Sequence, residues 1–144
     1  MLTGGVIAVA VKQPALVIPM AFASHFVLDA LPHFGHTSGN VFEKGSHVFM
    51  KLSLLMDAAA SIVVLVWLGT LNSRLPLLAS IIAYTPDITW LPRLFKDIRG
   101  HTWQGNWFTR FHQRIQRYEY PWAVTVELIW FTGCVVLLRK LLYT

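Results

Sequence analysis

Long apolar segments, separated by short polar turns, make up most of the chain. The first extends from residue 2 to residue 31 and is interrupted only by Lys12-Gln13, after which Pro14 is well placed to start a new helix. This pattern predicts a short helix over residues 2–11 and a longer one over residues 14–31. At about 1.5 Å per residue, the first reaches about half way across a ~30 Å bilayer core and the second nearly spans it.

Further apolar segments predict the remaining long helices. Turn-forming prolines and glycines predict a loop over residues 32–47, and helices are predicted over residues 47–71, 75–95 and 122–138. Within the second of these helices, we expect Pro86 to cause an interruption, because proline has no N–H to donate to the preceding turn. The chain would kink or restart as a new helical segment at that point.

The segment 96–120 differs from the rest because it is polar and basic. Its apolar and aromatic residues recur at helical spacing, whereas its arginines fall on another face: Trp107, Phe108, Phe111, Ile115 and Tyr118 on the first, Arg110, Arg114 and Arg117 on the second. This pattern predicts an amphipathic helix that lies at a membrane surface. We expect its arginines to bind an anionic headgroup.

The composition favours a membrane protein. Of 144 residues, 55% are hydrophobic and 13% charged, and the mean hydropathy is +0.52, which leaves too little polar surface to cover a soluble globule. We therefore predict an all-α, polytopic membrane bundle that forms one domain over residues 1–144: a short N-terminal half-helix, about four longer membrane helices and one amphipathic interfacial helix. Basic residues place segments 32–50 and 93–120 on the cytoplasmic side. These flanking charges account for the net charge of +5, so the expected partner is the lipid bilayer and not nucleic acid; the oligomeric state stays open.

Four of the seven acidic residues lie inside strongly apolar stretches. A charged side chain at the bilayer centre costs on the order of 3 kcal/mol or more, so such groups usually face one another, a cavity or a bound ion. Counted from the cytoplasmic ends of the predicted helices, all four fall at a similar shallow depth: Asp29, Asp57, Asp87 and Glu127. We therefore expect a shared polar site near the cytoplasmic surface.

His25 and Asp29 are the leading candidates for a metal site. Their i, i+4 spacing places imidazole and carboxylate on one helix face, where both can bind one ion, and His33 continues the row by one turn. His112 comes from the amphipathic helix, which can fold over the site. Nitrogen and oxygen ligands suit zinc, with manganese or iron as alternatives. The competing interpretation is a His–Asp hydrogen bond that holds two helices together, with His112 at the surface.

The other embedded acids have two interpretations each. Asp87 is either a helix-start acid, favourable near the positive end of the helix dipole, or a metal ligand. Asp57 either binds the ion or accepts a hydrogen bond from a ligand histidine. Glu127 is either a general base or the partner of one of the arginines. The candidate residues are therefore Asp57 and Glu127 for catalysis, and His25, Asp29, His33, Asp87 and His112 for metal binding.

Residues 24–33, Ser-His-Phe-Val-Leu-Asp-Ala-Leu-Pro-His, resemble the SHFxLDxxPH motif of a group of small, uncharacterised bacterial membrane proteins. The likeness extends along the chain, through Thr3-Gly4, the lysine-containing turn before Pro14, Asp57, Pro86-Asp87 and Phe111-His112-Gln-Arg-Ile115. The group is distantly similar to the membrane-bound metal-dependent hydrolases, whose matching Pro-Asp and histidine residues are assigned as ligands. The His-x-x-x-Asp spacing is also similar to that of zinc-dependent phospholipase C and single-strand nuclease proteins. The resemblance implies a metal-binding protein of the bacterial inner membrane.

The chain departs from the family pattern at two places. Met1-Leu2 stands where relatives have a histidine before the Thr-Gly pair, so that ligand is absent or the chain as given starts late. The His-Arg-x-x-Thr-His-Ser element of the hydrolases is missing as well.

The expected function is that of a metal-dependent hydrolase at the cytoplasmic membrane face. The ion would lower the pKa of a bound water to near neutrality, for attack on a phosphate or acyl ester of a lipid or lipid-linked substrate. The alternative is a non-enzymatic membrane scaffold or partner-binding protein with a structural His/Asp cluster. Ion transport is disfavoured, because the polar groups gather at one face and form no path across.

Overall fold

A computed structural model describes residues 1–34, 47–89, 92, 105–116, 118 and 120–143, and these parts of the chain are mainly helical. The helices are α1 (Leu2–Val11), α2 (Pro14–Asp29), α3 (His47–Gly69), α4 (Leu75–Ile88), α5 (Trp107–Ile115) and α6 (Val124–Tyr143), the last preceded by a 3-10 turn (Pro121–Ala123). The all-α prediction is confirmed. The predicted bounds of α1, α2 and α3 agree with the structure to within two residues, whereas α6 extends five residues beyond its predicted end. Most of the predicted 32–47 loop, and the predicted end of the 75–95 helix, lie outside the described residues.

The prediction of an integral membrane protein is wrong. In the described parts of the chain, no helix combines the length and the apolar character that a membrane crossing requires. α1, α2 and α4 contain 10, 16 and 14 residues, which is shorter than the roughly 20 of a typical crossing helix. α3 and α6 contain 23 and 20 residues, so length alone does not account for the finding. Mean hydropathy averages over the chain and does not report whether any one helix is both long and apolar enough. Three further predictions depended on membrane insertion and lose their basis: the polytopic arrangement, the interfacial placement of α5, and the cytoplasmic assignment of segments 32–50 and 93–120.

α1 is packed against three other helices, α2, α4 and α6. One buried cluster joins α1 to α3 and α6 and consists of Leu2, Val9, Val64, Leu68, Cys134 and Leu138. A second cluster joins α1 to α2 and α4 and consists of Ala8, Val17, Ala21, Ala79 and Ala83. A helix of 10 residues is marginal in isolation, so α1 depends on these contacts for its stability.

α1 and α4 approach each other closely at Gly4. A Cβ added at Gly4 would overlap with the Ala79 carbonyl and crowd the Cβ of Ala83. Any larger residue at position 4 would therefore push the two helices apart. Because α4 also packs on α2, this close approach helps to set where the end of α4 lies relative to α2.

A two-residue turn joins α1 to α2. Lys12 adopts the left-handed conformation, with φ of 61°, and its N–H donates to the Ala8 carbonyl. Gln13 is extended, and Pro14 follows in the first turn of α2, where its missing N–H leaves no helical hydrogen bond unmade. The turn reverses the chain and lays α2 beside α1.

α4 passes through Pro86 without a break, so the predicted restart of the helix at this residue is wrong. The missing N–H of Pro86 would leave the carbonyl of Ile82, four residues earlier, without its helical donor. The Thr85 hydroxyl donates to that carbonyl at 2.7 Å instead. Asp87 consequently lies in the last turn of an unbroken helix.

α5 packs on the second half of α2 through aromatic rings. Asn106 caps the start of α5, because its side-chain oxygen accepts a hydrogen bond from a backbone N–H of the first turn. Phe26 of α2 contacts Phe108 and Phe111, with ring centroids 6.1 and 5.6 Å apart. These contacts hold the buried face of α5, which carries His112, against α2.

The chain that follows α2 is tied to the segment between α5 and α6. The N–H of His33 donates to the Tyr118 carbonyl, and the N–H of Tyr120 donates to the His33 carbonyl. Glu127, in the first turn of α6, accepts a hydrogen bond from the N–H of Phe34 at 2.7 Å. Three backbone N–H groups and two backbone carbonyls are thereby satisfied at the end of the bundle where α5 lies.

Candidate metal centre

α2 contributes the first two atoms of the candidate site. His25 and Asp29 lie one helical turn apart, and His25 Nε2 is 3.1 Å from Asp29 Oδ2. The side chains are only 7% and 15% exposed, respectively. The imidazole and carboxylate that share a helix face in the sequence therefore meet in a region with little access to water.

α5 contributes a third atom to the same point. His112 is buried, and its Nε2 lies 2.6 Å from Asp29 Oδ2 and 3.0 Å from His25 Nε2. The ring of Phe26 packs edge-on against His112, with centroids 5.7 Å apart. Among the described residues, His25, Asp29 and His112 form a group whose ligand atoms can hold one metal ion.

His25 Nε2, Asp29 Oδ2 and His112 Nε2 form a triangle of three short contacts. Hydrogen atoms cannot turn all three of these contacts into hydrogen bonds. Each Nε2 carries either a hydrogen or a lone pair. If both carry hydrogens, both can donate to the ionised carboxylate, but the two N–H groups then face each other. If one lacks its hydrogen, its lone pair faces the carboxylate oxygen. A cation between the three atoms would instead attract a lone pair from each.

The Asp29 carboxyl is held in its ionised form. Burial alone would raise its pKa, but hydrogen bonds from His112 and His25, together with the charge of both rings, hold the pKa of this carboxyl well below its usual range. The side-chain amide of Gln116 also donates to Asp29 Oδ2, at 3.2 Å. A carboxylate that stays ionised is ready to bind a cation without first losing a proton.

Asp87 lies at the edge of the triangle. Its Oδ1 is 3.6 Å from His25 Nε2, and its side chain is 31% exposed. Burial raises the pKa of Asp87, while the nearby His25 acts in the opposite direction. The end of α4 thus brings a second carboxylate next to His25, as the pattern of embedded acids predicts.

His33 and Glu127 are held at other positions. His33 Nδ1 lies 3.0 Å from the carbonyl of Leu31, and its backbone pairs with the segment after α5. Glu127 binds the N–H of Phe34, which gives this acid a structural partner at the start of α6. Neither side chain belongs to the triangle.

Asp57 and the arginines also lie apart from the triangle. Asp57 is exposed on α3, and no described hydrogen bond or ion pair joins it to His25, Asp29 or His112. Arg110 and Arg114 are exposed on α5, whereas His112 of the same helix is buried; Arg117 lies outside the described residues. No described hydrogen bond or ion pair joins Arg110 or Arg114 to the cluster, and the headgroup site stays a prediction.

Reasoning from the sequence misses Gln116 and Phe26. Gln116 follows His112 by four residues, the same spacing that relates His25 to Asp29, so the pattern did hold a signal for it. Phe26 carries no such signal, because its contacts with α5 depend on how two distant helices pack.

Comparison of the chain with protein-family models, with curated proteins and with solved structures finds no match. The resemblance to membrane-bound metal-dependent hydrolases therefore stays a prediction based on motifs. The functional argument has to be built from the geometry of the site.

Proposed function

We propose that the protein is a metal-dependent hydrolase whose ion is bound by His25, Asp29 and His112. The observation that supports this most is the triangle of two imidazole nitrogens and one carboxylate oxygen, which hydrogens cannot satisfy and a cation can. Both atom types are common ligands of divalent metals in proteins. The burial of both histidines keeps competing water away from the ligands.

Two imidazoles and one carboxylate form a donor set that suits zinc, with manganese and iron as alternatives. His25 Nε2, Asp29 Oδ2 and His112 Nε2 lie 2.6–3.1 Å from one another, close enough that one ion would be held by all three. Three protein ligands leave a position for water, and a bound ion lowers the pKa of that water to near neutrality.

Asp87 is the nearest further group that can serve the reaction. At 3.6 Å from His25 Nε2, its carboxylate is close enough to hold a water at the open position or to complete the ligand set. A carboxylate in that place can take the proton of the attacking water, the usual role of a general base. Asp57 and Glu127 are less suitable for this role, because neither contacts the cluster in the structure.

The substrate that we propose is a phosphate or acyl ester that carries negative charge, with lipid or lipid-linked esters as the favoured class. The net charge of +5 favours anionic substrates. α5 exposes Arg110 and Arg114 together with Trp107, which is 72% exposed, and part of Phe111, which is 46% exposed although it also contacts Phe26 of α2. A face with both cationic and apolar groups suits a molecule that has an anionic head and an apolar tail.

Metal analysis of the purified protein tests this proposal. We expect about one equivalent of zinc, manganese or iron, a loss of at least tenfold in metal affinity for His25→Ala and for His112→Ala, and hydrolysis of p-nitrophenyl phosphate or p-nitrophenyl acetate that requires the metal. His33→Ala is the matched control, because it removes a histidine outside the triangle and should retain the ion. A wild-type protein that binds no ion, or a His25→Ala variant with unchanged metal content, would overturn the proposal.

A second candidate is a non-enzymatic module in which the cluster only fastens α5 to α2. The observation that favours it is that His112 and Gln116 of one segment both hydrogen-bond to Asp29 of the other. On this hypothesis the wild-type protein binds no metal, and His112→Ala lowers the free energy of unfolding of the protein without affecting any turnover. The metal analysis above therefore separates the two candidates.

A further inference from the structure

Gln116 contacts Asp29 from the C-terminal end of α5. Its Nε2 donates to Asp29 Oδ2 at 3.2 Å. An ionised carboxylate only accepts hydrogen bonds, so the nitrogen of the Gln116 amide and not its oxygen must face Asp29. The backbone N–H of Gln116 donates to the His112 carbonyl, so the amide lies one turn beyond the histidine that approaches the same carboxylate.

The described hydrogen bonds and ion pairs of the Asp29 side chain converge on one oxygen. Oδ2 lies 2.6 Å from His112 Nε2, 3.1 Å from His25 Nε2 and 3.2 Å from Gln116 Nε2. A carboxylate oxygen offers two lone pairs. An ion that replaced the hydrogens between the two histidines would take one lone pair of Oδ2, and Gln116 would keep the other.

We propose that Gln116 is a positioning residue that makes Asp29 bind the ion through Oδ2 alone. This inference rests on the proposed function, since it assigns a role around the same ion. With its amide in place, the carboxylate cannot turn to present both oxygens without losing the hydrogen bond from Gln116. If Asp29 supplies only one oxygen, more of the positions around the ion would stay open to water and substrate than if Asp29 supplied both oxygens.

The position of Gln116 on α5 adds to the argument. His112 and Gln116 approach Asp29 from one segment, at i and i+4, so the ligand and the group that orients its neighbour arrive together. Loss of a hydrogen-bond partner of a metal ligand typically weakens metal binding 10- to 100-fold. We therefore expect the amide of Gln116 to matter for affinity even though it does not touch the ion.

The test compares wild type with Gln116→Met, which keeps a similar length and removes the donor. The measurements are the Kd for Zn²⁺, from competition with a chelating dye, and the visible absorption spectrum of the Co²⁺-loaded protein. We expect a 10- to 100-fold larger Kd and a changed Co²⁺ spectrum, because Asp29 becomes free to use both oxygens. A residue that merely supported the fold would leave the Co²⁺ spectrum of the loaded protein unchanged.

Gln13→Met is the matched control, since it makes the same substitution at an exposed glutamine outside the cluster and should leave both readouts at wild-type values. Gln116→Ala is measured in parallel, so that a folding defect of Gln116→Met does not decide the outcome. Wild-type Kd and spectrum in the Gln116 variants would overturn the role of Gln116 and leave the metal site standing. A wild-type protein that binds neither Zn²⁺ nor Co²⁺ would overturn the proposed function, and this inference with it.

Discussion

Two serine hydroxyls of the helices have contrasting surroundings. Ser24 donates to the Ala21 carbonyl of its own helix at 2.7 Å. Ser80 is fully buried on α4 beside Gly5 of α1, and its Oγ has no hydrogen-bond partner among the described residues. A buried polar group without a partner costs about 1–3 kcal/mol. Ser80 therefore weakens the core at the position where α1 and α4 meet.

Ser80→Ala should raise the free energy of unfolding by about 1 kcal/mol, because it removes the unsatisfied hydroxyl at a small loss of packing. Urea denaturation measures the change as an increase in the midpoint concentration. Ser24→Ala is the matched control and should leave the midpoint unchanged or lower it slightly. A Ser80→Ala variant that is less stable than wild type would show that the hydroxyl has a favourable partner.

The end of α1 carries backbone strain. Lys12 ends α1 in the left-handed conformation, which costs an L-residue other than glycine roughly 1–2 kcal/mol. Glycine is the usual residue at such a helix end. The sequence therefore carries a strained lysine where the chain has to reverse within two residues.

Lys12→Gly should stabilise the protein by about 0.5–1 kcal/mol, because relief of the left-handed strain exceeds the added entropy of the unfolded chain. Thermal unfolding would report this as a higher Tm. In the control Gln13→Gly, the replaced residue has φ of −96°, so no strain is relieved and the Tm should stay the same or fall. Equal shifts for the two variants would contradict the assignment of strain to Lys12.

The elements themselves could be predicted where local signals agree. The bounds of α1 and the start of α2 follow from Lys12-Gln13 and Pro14, which end one helix and start the next. The break at Pro86 could not be judged from proline alone, because the Thr85 hydroxyl replaces the missing donor. The membrane assignment failed because it relied on average hydropathy, whereas a crossing depends on the length and the apolar character of each helix taken together.

At the scale of the whole molecule, the candidate site was only partly predictable. The pair His25 and Asp29 follows from helical spacing, which the folded chain preserves. His112 meets them only because Phe26 packs against α5, a contact between helices far apart in sequence. Asp57 and Glu127 share the same kind of apolar surroundings in sequence, yet they do not reach the cluster. An apolar context marks an acid as unusual but does not say where its side chain points.

The metal-free protein should lose stability in acid through Asp29. Its folded-state pKa lies below the unfolded value of about 4, so the unfolded chain binds the proton first as the pH falls. The stabilisation is fully present above about pH 4 and is lost below it, towards the folded-state pKa. Asp87, whose pKa is raised, acts in the opposite direction between its unfolded and folded values.

Asp29→Asn should therefore make the free energy of unfolding less dependent on pH below about pH 4. Denaturation of metal-free wild type and variant between pH 2 and 7, in steps of about half a unit, measures this slope. Glu127→Gln serves as control, because its side chain is exposed and lies outside the triangle. An Asp29→Asn variant that keeps the full wild-type slope would show that Asp29 does not carry the acid sensitivity.

The two helices that form the triangle are far apart in the chain. His112 of α5 follows Asp29 by 83 residues and His25 by 87 residues. During synthesis, the ribosome releases α2 long before α5, so the early part of the chain holds only two of the three residues of the proposed site. If the proposed site binds an ion, its capture would follow the docking of α5 and would report that α2 and α5 have come together. A chain in which α5 has not yet docked would then offer the ion an incomplete site.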